Sequence, residues 1–334
     1  MTEAWDAMLD SQPRPTPHLR SWWLRAGARG LPQFVVVLDQ GRLIGGIAFE
    51  VDKWRGVSRG KVMASKSWPS GFDMIAEPDR AGEVVEALTD WMRSSSIQLF
   101  DLSGIDGDAR LPDVLPGTVR RQESGNAWII DLPSDFDQYL AAKSKNFRKD
   151  LSRARRRVDD AGLVARRVPA VETERALETL QRLHQSQFGD ESTFLPFFPE
   201  FAKAAPQGAA GGEVVFFELV DGKDQIVEIG VWLRLGRGVW DFVGGRQSNA
   251  VSGTGNVLRA WAIERFCEEG VSRVDLGGGY GYWKRSWATG RRTQLHIVAM
   301  RGLMPRLSFG VSHELHRIKK LVMGSNLPRI SRAT

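Results

Sequence analysis

The chain passes twice through one order of elements, and that recurrence narrows the folds open to it. In the first half, "FVVVLD" (Phe34–Asp39) and "RLIGGIAFEV" (Arg42–Val51) are apolar runs of strand length joined by Gln-Gly, a two-residue hairpin signal. "AGEVVEALTDWMRSS" follows, with Val84, Val85, Leu88, Trp91 and Met92 at helical spacing. "IQLFDLSGI" and "GNAWIIDLPS" return as strands and close this half near Pro133. The second half opens with a charged helix, "SKNFRKDLSRARRRVDDAG". Its Phe147, Leu151, Ala154 and Val158 share one face, and Gly162 follows as a stop. After the strand "LVARRV" come the helix "TERALETLQRLHQSQFG", with Leu177, Leu180 and Leu183 at steps of three, and a shorter helix, "LPFFPEFAKAA". Three strands then run from Glu213 to Gly245, broken at "DGKD" and "GRG". The helix "GNVLRAWAIERFCEEG" and the strands "VSRVDLGG" and "TQLHIVAMR" complete the half. Hairpin, further strand, helix, strand thus occurs twice. This predicts two copies of one α/β unit of about 150 residues, an ordinary domain size.

Composition fits that expectation. The 334 residues, 42% of them hydrophobic, are enough for two cores. The single cysteine, Cys267, leaves no disulfide framework and suits a reducing compartment. No apolar run has the length of a membrane span, and the N-terminus is acidic and then Pro-rich, unlike a secretory signal, so a cytoplasmic location is expected. The net charge of +6 is concentrated. Lys143 to Arg167 carries +7 (ten basic residues, three acidic), Arg301 to Thr334 carries +6, and the remainder is acidic. Two basic segments in an otherwise acidic chain point to an anionic partner.

One segment has the makings of a phosphate cradle. A strand ends at "WDFVGG", the loop "RQSNAVSGTGN" follows, and a helix starts near Asn256. Glycines let backbone N–H groups approach a ligand, and a helix start adds unpaired donors and a positive dipole end. The segment is neither the dinucleotide fingerprint nor a P-loop, since no Gly-Lys-Ser/Thr follows. A glycine entry to a helix with no ligand explains the same residues.

Taken together, "YLAAKSKNFRKDLSRARRRVDDAG", "LQRLHQSQFGDESTF", "SGTGNVLRAWAIERFCEEG" and "VDLGGGYGYWKRSW" resemble the GNAT acyltransferase superfamily. The branch is the double-domain one of the CelD/BcsL-type acetyltransferases of bacterial exopolysaccharide synthesis, to which the Fem-type peptidoglycan aminoacyltransferases are related. The resemblance runs from Tyr139 to Trp287. It implies an α/β (α+β) fold of tandem GNAT-like domains, each a mixed, mostly antiparallel sheet flanked by helices. Residues 1–142 would form the first domain, without a donor site, residues 143–304 the acyltransferase domain, and residues 305–334 a basic tail able to touch an anionic membrane surface.

The implied reaction is transfer of an acyl group, usually acetyl, from acyl-CoA to an amine or hydroxyl of a sugar, cell-envelope precursor or small metabolite. The family's phosphate loop falls on Ser252, Gly253, Thr254, Gly255 and Asn256, and the strand holding the pantetheine on Phe242, Val243 and Gly244. Ala250 departs from the pattern, which has Gln or Arg three residues before the first glycine. That departure leaves the donor open between acyl-CoA and the aminoacyl-tRNA used by Fem-type relatives. Lys284 matches a family residue that follows an aromatic and points into the acceptor site; here Trp283 precedes it and Tyr282 lies one further back. A lysine there suits an anionic acceptor, as would Arg285, and Gly277 beside Asp275 would keep the acceptor channel open. His184 matches a histidine of the family helix, with a pKa suited to general base work.

The residues add their own candidates. Glu228 interrupts an apolar strand, where it either takes the acceptor's proton or faces solvent at an edge. Asp241 and Asp275 pose the same question. From Lys143 to Arg157 there are eight basic residues and one acid, Asp150, so salt bridges along the helix leave most of the charge unmatched. Arg148 on this helix is a candidate for binding phosphate, an anionic glycan or tRNA. Five scattered histidines and one cysteine suggest no metal site. Direct attack on a thioester needs positioning, a proton path and a donor cradle rather than a conspicuous triad. Two other functions remain open, a Fem-type aminoacyl-tRNA-dependent transferase and a catalytically inactive binding module.

Overall fold

The computed structural model describes residues 1–64, 71–279 and 281–302. The basic tail expected at 305–334, and most of the "SKSWPSGFD" loop, lie outside the described residues. The first half comprises α1 (Thr2–Asp10), α2 (Ser21–Gly27), β1 (Leu31–Asp39), β2 (Arg42–Trp54), β3 (Val57–Val62), β4 (Ile75–Ala76), α3 (Ala81–Ser94), β5 (Leu99–Asp106), α4 (Leu111–Val114) and β6 (Thr118–Asp131). The second comprises α5 (Phe136–Ala141), α6 (Lys145–Asp160), β7 (Val164–Arg167), α7 (Thr173–Phe188), α8 (Phe198–Ala210), β8 (Val214–Val220), β9 (Ile226–Leu235), β10 (Gly238–Arg246), α9 (Thr254–Glu268), β11 (Arg273–Asp275), α10 (Tyr282–Trp287) and β12 (Gly290–Met300).

Local chemistry accounts for several boundaries. Gln40 and Gly41 take φ of +48° and +82°, the doubly left-handed turn that suits a two-residue hairpin, so β1 and β2 pair antiparallel as the sequence predicts. Ser144 caps α6 by accepting from Phe147 N, and Gly162, at φ +66°, ends the turn beyond it. Leu151, Ala154 and Val158 form the buried face of α6. The acidic, Pro-rich start, in which the sequence shows no helix, folds into α1 and α2.

The strands form one sheet, in the order β1-β2-β3-β5-β12-β6-β11-β10-β9-β8-β7, with β4 on β2. The two halves repeat each other inside it. In the first, β3 runs parallel to β5; in the second, β10 runs parallel to β11. Each half gives its last strand to the other: β12 pairs with β5, β6 pairs with β11, and the two exchanged strands pair with each other. The tandem organisation expected from the sequence is therefore built as one continuous sheet rather than two separate ones. Pairing the exchanged strands leaves no open edge between the halves.

Around the second half the sheet is covered on both faces. Alternation along β8 sends Val215, Phe217 and Leu219 toward α6 and α9, and Val214 and Phe216 toward α7 and α8. Helix α2 of the first half joins the latter layer. Its Trp23, 1% exposed, meets Phe201 and Phe242, while Trp22 donates to Glu213 at 2.6 Å. Truncating Trp23 to alanine is expected to cost on the order of 3–5 kcal/mol. The residues behind β10 thus come from both halves. Among the described residues no helix is long and apolar enough to cross a membrane.

Candidate active site

A fork in the sheet creates the site. Strands β10 and β11 pair only from Gly238↔Arg273 to Trp240↔Asp275. Beyond that point β10 continues along β9, with its register slipping between Asp241 and Val243, while the chain after β11 turns away through Leu276 to Gly279. A cleft opens on each side of the fork. One, of about 750 Å3, lies between β10, α6, the head of α9 and α10, and is walled by Arg153, Arg157, Glu228, Val243, Gly253 and Asn256 among others. The other, of about 580 Å3, lies between the halves. His18, Ser103 and Gly104 come to it from the first half, and Gly277, Gly278, Gly279 and Gln294 from the second. Asp241, Phe242, Leu276 and Lys284 line both clefts.

The glycine loop stands at the head of α9, as the sequence predicts. Gly253 takes φ +100° at the helix start, and no side chain caps it. A Cβ there would lie 2.7 Å from Ala154 Cβ and 3.5 Å from Arg157 Nη2, so a cation of α6 sits beside the loop. Ser252, Gly255 and Asn256 share this wall, whereas Thr254 is buried. Asn256 Oδ1 accepts from Trp287 Nε1 at 3.3 Å, tying α10 to α9. Phe242, Val243 and Gly244 line the same cleft on β10.

Lys284 projects from α10 to the junction of the clefts. Its Nζ donates to Gly278 O at 2.7 Å. Burial lowers its pKa, while the carboxylates of Asp241 and Asp275 pull the other way. Asp241 is committed to Arg259 Nε at 2.7 Å, and the Arg259 guanidinium lies 3.8 Å from the Trp283 ring centre, so Trp283 and Asp241 fix that cation together. Asp275, 2% exposed, accepts from Gly277 N at 2.7 Å and pairs with Arg292 at 2.8 Å. Gly277 and Gly279 take φ of +73° and +91°, conformations that favour glycine.

Glu228 does not face solvent. It points from β9 at the first turn of α9, and a Cβ on Gly255 would lie 3.0 Å from its Oε1. Burial raises its pKa, with the neighbouring Thr254 hydroxyl and then Arg259 and Arg246 opposing. Glu228 Oε2 and Thr254 Oγ1 are buried without a hydrogen bond of good geometry. The carboxylate lines the cleft between α6 and α9 and is absent from the wall of the inter-half cleft.

Four sequence candidates, His184, Tyr282, Arg285 and Arg148, line neither cleft. His184 is buried against β10, with Nδ1 2.7 Å from Gly244 O and Nε2 2.8 Å from Ser192 Oγ. A carbonyl only accepts, so Nδ1 carries the proton and Nε2 accepts from the serine. Burial lowers the pKa of this neutral ring. Tyr282 is 90% exposed and lines neither cleft, and Arg285 is also exposed and off both. Arg148 turns back to donate to Ala141 O and Lys143 O, closing the end of α5. The cations of α6 that reach the cleft are Arg153 and Arg157, four residues apart. The sequence signals their helix but not which arginines face the glycine loop. Arg259 left a local signal, a cation within the apolar run "VLRAWAI".

Residues 145–285 match the family model described as an acetyltransferase (GNAT) domain, on nearly the span that carried the sequence resemblance. The structure is similar to that of FemX, with a TM-score of 0.61 at 11% identity, covering 89% of this chain and 95% of that one. It is similar to the C-terminal domain of a putative lysylphosphatidylglycerol synthetase from Agrobacterium fabrum, with a TM-score of 0.60 at 12% identity, covering 94% and 96%. L-PGS from Bacillus licheniformis gives 0.57 at 13% identity, covering 90% and 96%. No curated protein matches the sequence. Residues 145–285 therefore resemble a GNAT acetyltransferase domain, and the chain shares its overall fold with these three proteins over nearly their whole length.

Proposed function

We propose that this protein transfers an acyl group from acyl-CoA to an amine or hydroxyl of a sugar, cell-envelope precursor or small metabolite. The observation that carries this is the pair of clefts meeting at Lys284, with a glycine-led helix head in one and a two-half cavity as the other. The donor's diphosphate would lie on the Gly253 side of the loop, where Arg157 supplies the cation that Ala250 does not. Its pantetheine would follow Val243 and Gly244 toward the fork. The acceptor would enter between the halves, past Ser103 and Gly278.

In this scheme the nucleophile attacks the thioester carbonyl at the fork, and backbone N–H groups of β10 polarise the oxygen. The new C–N or C–O bond forms as the C–S bond breaks. Of the residues that line both clefts, Asp241 and Lys284 ionise, and Asp241 is held by Arg259, which leaves Lys284 to serve the reacting atoms. Its burial-lowered pKa suits it to take the proton the nucleophile sheds and return it to the departing thiolate. His184 has both ring nitrogens engaged and positions β10 instead. Calorimetry with acetyl-CoA and longer acyl-CoAs tests the donor: micromolar binding is expected, and failure of every acyl-CoA to bind rules it out.

A second reading draws on the fold shared with FemX and on the departure at Ala250. The donor would then be an aminoacyl-tRNA, its phosphates meeting the basic face of α6. Filter binding of charged tRNA, weakening steeply with salt, distinguishes it.

A further inference from the structure

We infer that Arg292 is a positioning residue for Lys284, carrying the geometry of the first half's strand β5 to the loop that holds the lysine. Arg292 is the third residue of β12, and it reaches Asp106 of β5 only because the last strands are exchanged. Its Nε stands 2.8 Å from Asp106 Oδ1 and its Nη2 2.8 Å from Asp275 Oδ2. All three side chains are nearly enclosed, at 14%, 13% and 3% exposure for Arg292, Asp106 and Asp275.

The contacts continue to the site in sequence. Asp275 turns its other oxygen to Gly277 N at 2.7 Å, which holds the left-handed turn at φ +73°. The next carbonyl, of Gly278, accepts Lys284 Nζ at 2.7 Å. Strand β12 presses the same turn a second time, since a Cβ on Gly278 would lie 2.9 Å from Gln294 Oε1. The guanidinium donates from Nη2 to Asp275 Oδ2 and faces Asp106 through charge alone, Nε and Asp106 Oδ1 lying close without hydrogen-bond geometry, and a compact lysine ammonium does not span both carboxylates in this way. Removing it leaves two enclosed carboxylates without their shared cation, and Asp275, released, bears more strongly on the amine of Lys284. Burial already pushes Asp106 up to about 6 against the pull of Arg292, with Asp275 and Asp108 adding to the rise and Arg14 opposing it. The charged groups that act on Lys284 itself are Asp241, Asp275 and Arg259.

This inference rests on Lys284 being a site residue, yet its test needs no substrate. In the reductively 13C-methylated full chain, NMR follows the titration of Lys284, its resonance identified by loss in Lys284→Gln. In Arg292→Gln that titration is expected to move upward by on the order of one pH unit. Arg292→Lys, which keeps charge but not the fork, serves if the glutamine variant does not fold, and is expected to give a smaller rise. Arg59→Gln, which breaks the Arg59–Asp52 and Arg59–Asp101 pairs on the first half's strands, is the control for general loosening and is expected to leave Lys284 where it was. An unmoved titration in a folded Arg292 variant overturns the inference, and so does an equal rise in the Arg59 control. A parent protein that binds no acyl-CoA would end the proposed donor assignment and leave this measurement intact.

Discussion

Gly253 and Ala154 fit together only because both are small: a Cβ on the glycine would lie 2.7 Å from that of the alanine. The contact brings α6 against the head of α9 and sets Arg157 beside the loop. Gly253→Ala meets both this contact and a φ of +100°. We expect it to cost about 1–3 kcal/mol of stability and to weaken acyl-CoA binding about tenfold or more. Thermal unfolding and calorimetry measure the two effects; a variant matching the parent in both contradicts the close fit.

Lys284→Gln is expected to lower kcat for acyl transfer by about 10²–10⁴-fold. Donor affinity should stay within about twofold, because the loop and Arg157 are untouched. Exposed Tyr282→Phe and Arg285→Gln should leave kcat near that of the parent. Steady-state kinetics with a competent acceptor separates these outcomes, and a large loss in Tyr282→Phe would return that residue to the chemistry.

His184 holds Gly244 O and Ser192 in a buried setting that keeps the ring neutral. Its pKa is lowered, so the unfolded chain takes the proton first as pH falls. The stability it contributes is complete above the ordinary histidine value of 6.5 and is lost below it. His184→Ala is expected to cost on the order of 1–3 kcal/mol at pH 8 and to flatten the decline in melting temperature below pH 6.5. The pH profile of kcat should keep its shape in the variant; loss of its acid limb would identify His184 as the base after all.

Glu228 shows the opposite sign. Its pKa is raised by burial, so the folded chain holds the proton more tightly and stability falls as pH climbs from the ordinary value of 4.5. Glu228→Gln should melt higher than the parent at pH 8, and the difference should shrink toward pH 4.5. It should also bind a diphosphate donor more tightly, since a negative charge leaves the head of α9. Melting curves at the two pH values that run parallel would show that the carboxyl is not held in its buried form.

Much of this molecule is legible residue by residue. The buried steps of Leu151, Ala154 and Val158, with Ser144 before and Gly162 after, bound α6 to within a residue or two. Gln40-Gly41 specifies a hairpin, and Gly253 and Gly255 specify a glycine-led helix head. Helix α10 was harder to see, because "YWKRSW" is a single short turn held by Trp287 against Tyr139 and Asn256, contacts that span more than thirty residues. Helix α2 was hidden for a similar reason: its Trp22 and Trp23 find their core in the second half.

Short-range periodicity therefore determined which segments are helices and strands, that their order repeats, and that a glycine loop precedes α9, because spacing along a chain reports directly on local backbone form. Tertiary structure alone decided that β6 and β12 change partners, that Arg157 rather than Arg148 faces the loop, and that Glu228 turns inward. Those outcomes depend on which distant surfaces meet. A strand's sequence records its buried face but not its neighbour, and a helix's charges record their sign but not the cleft they border.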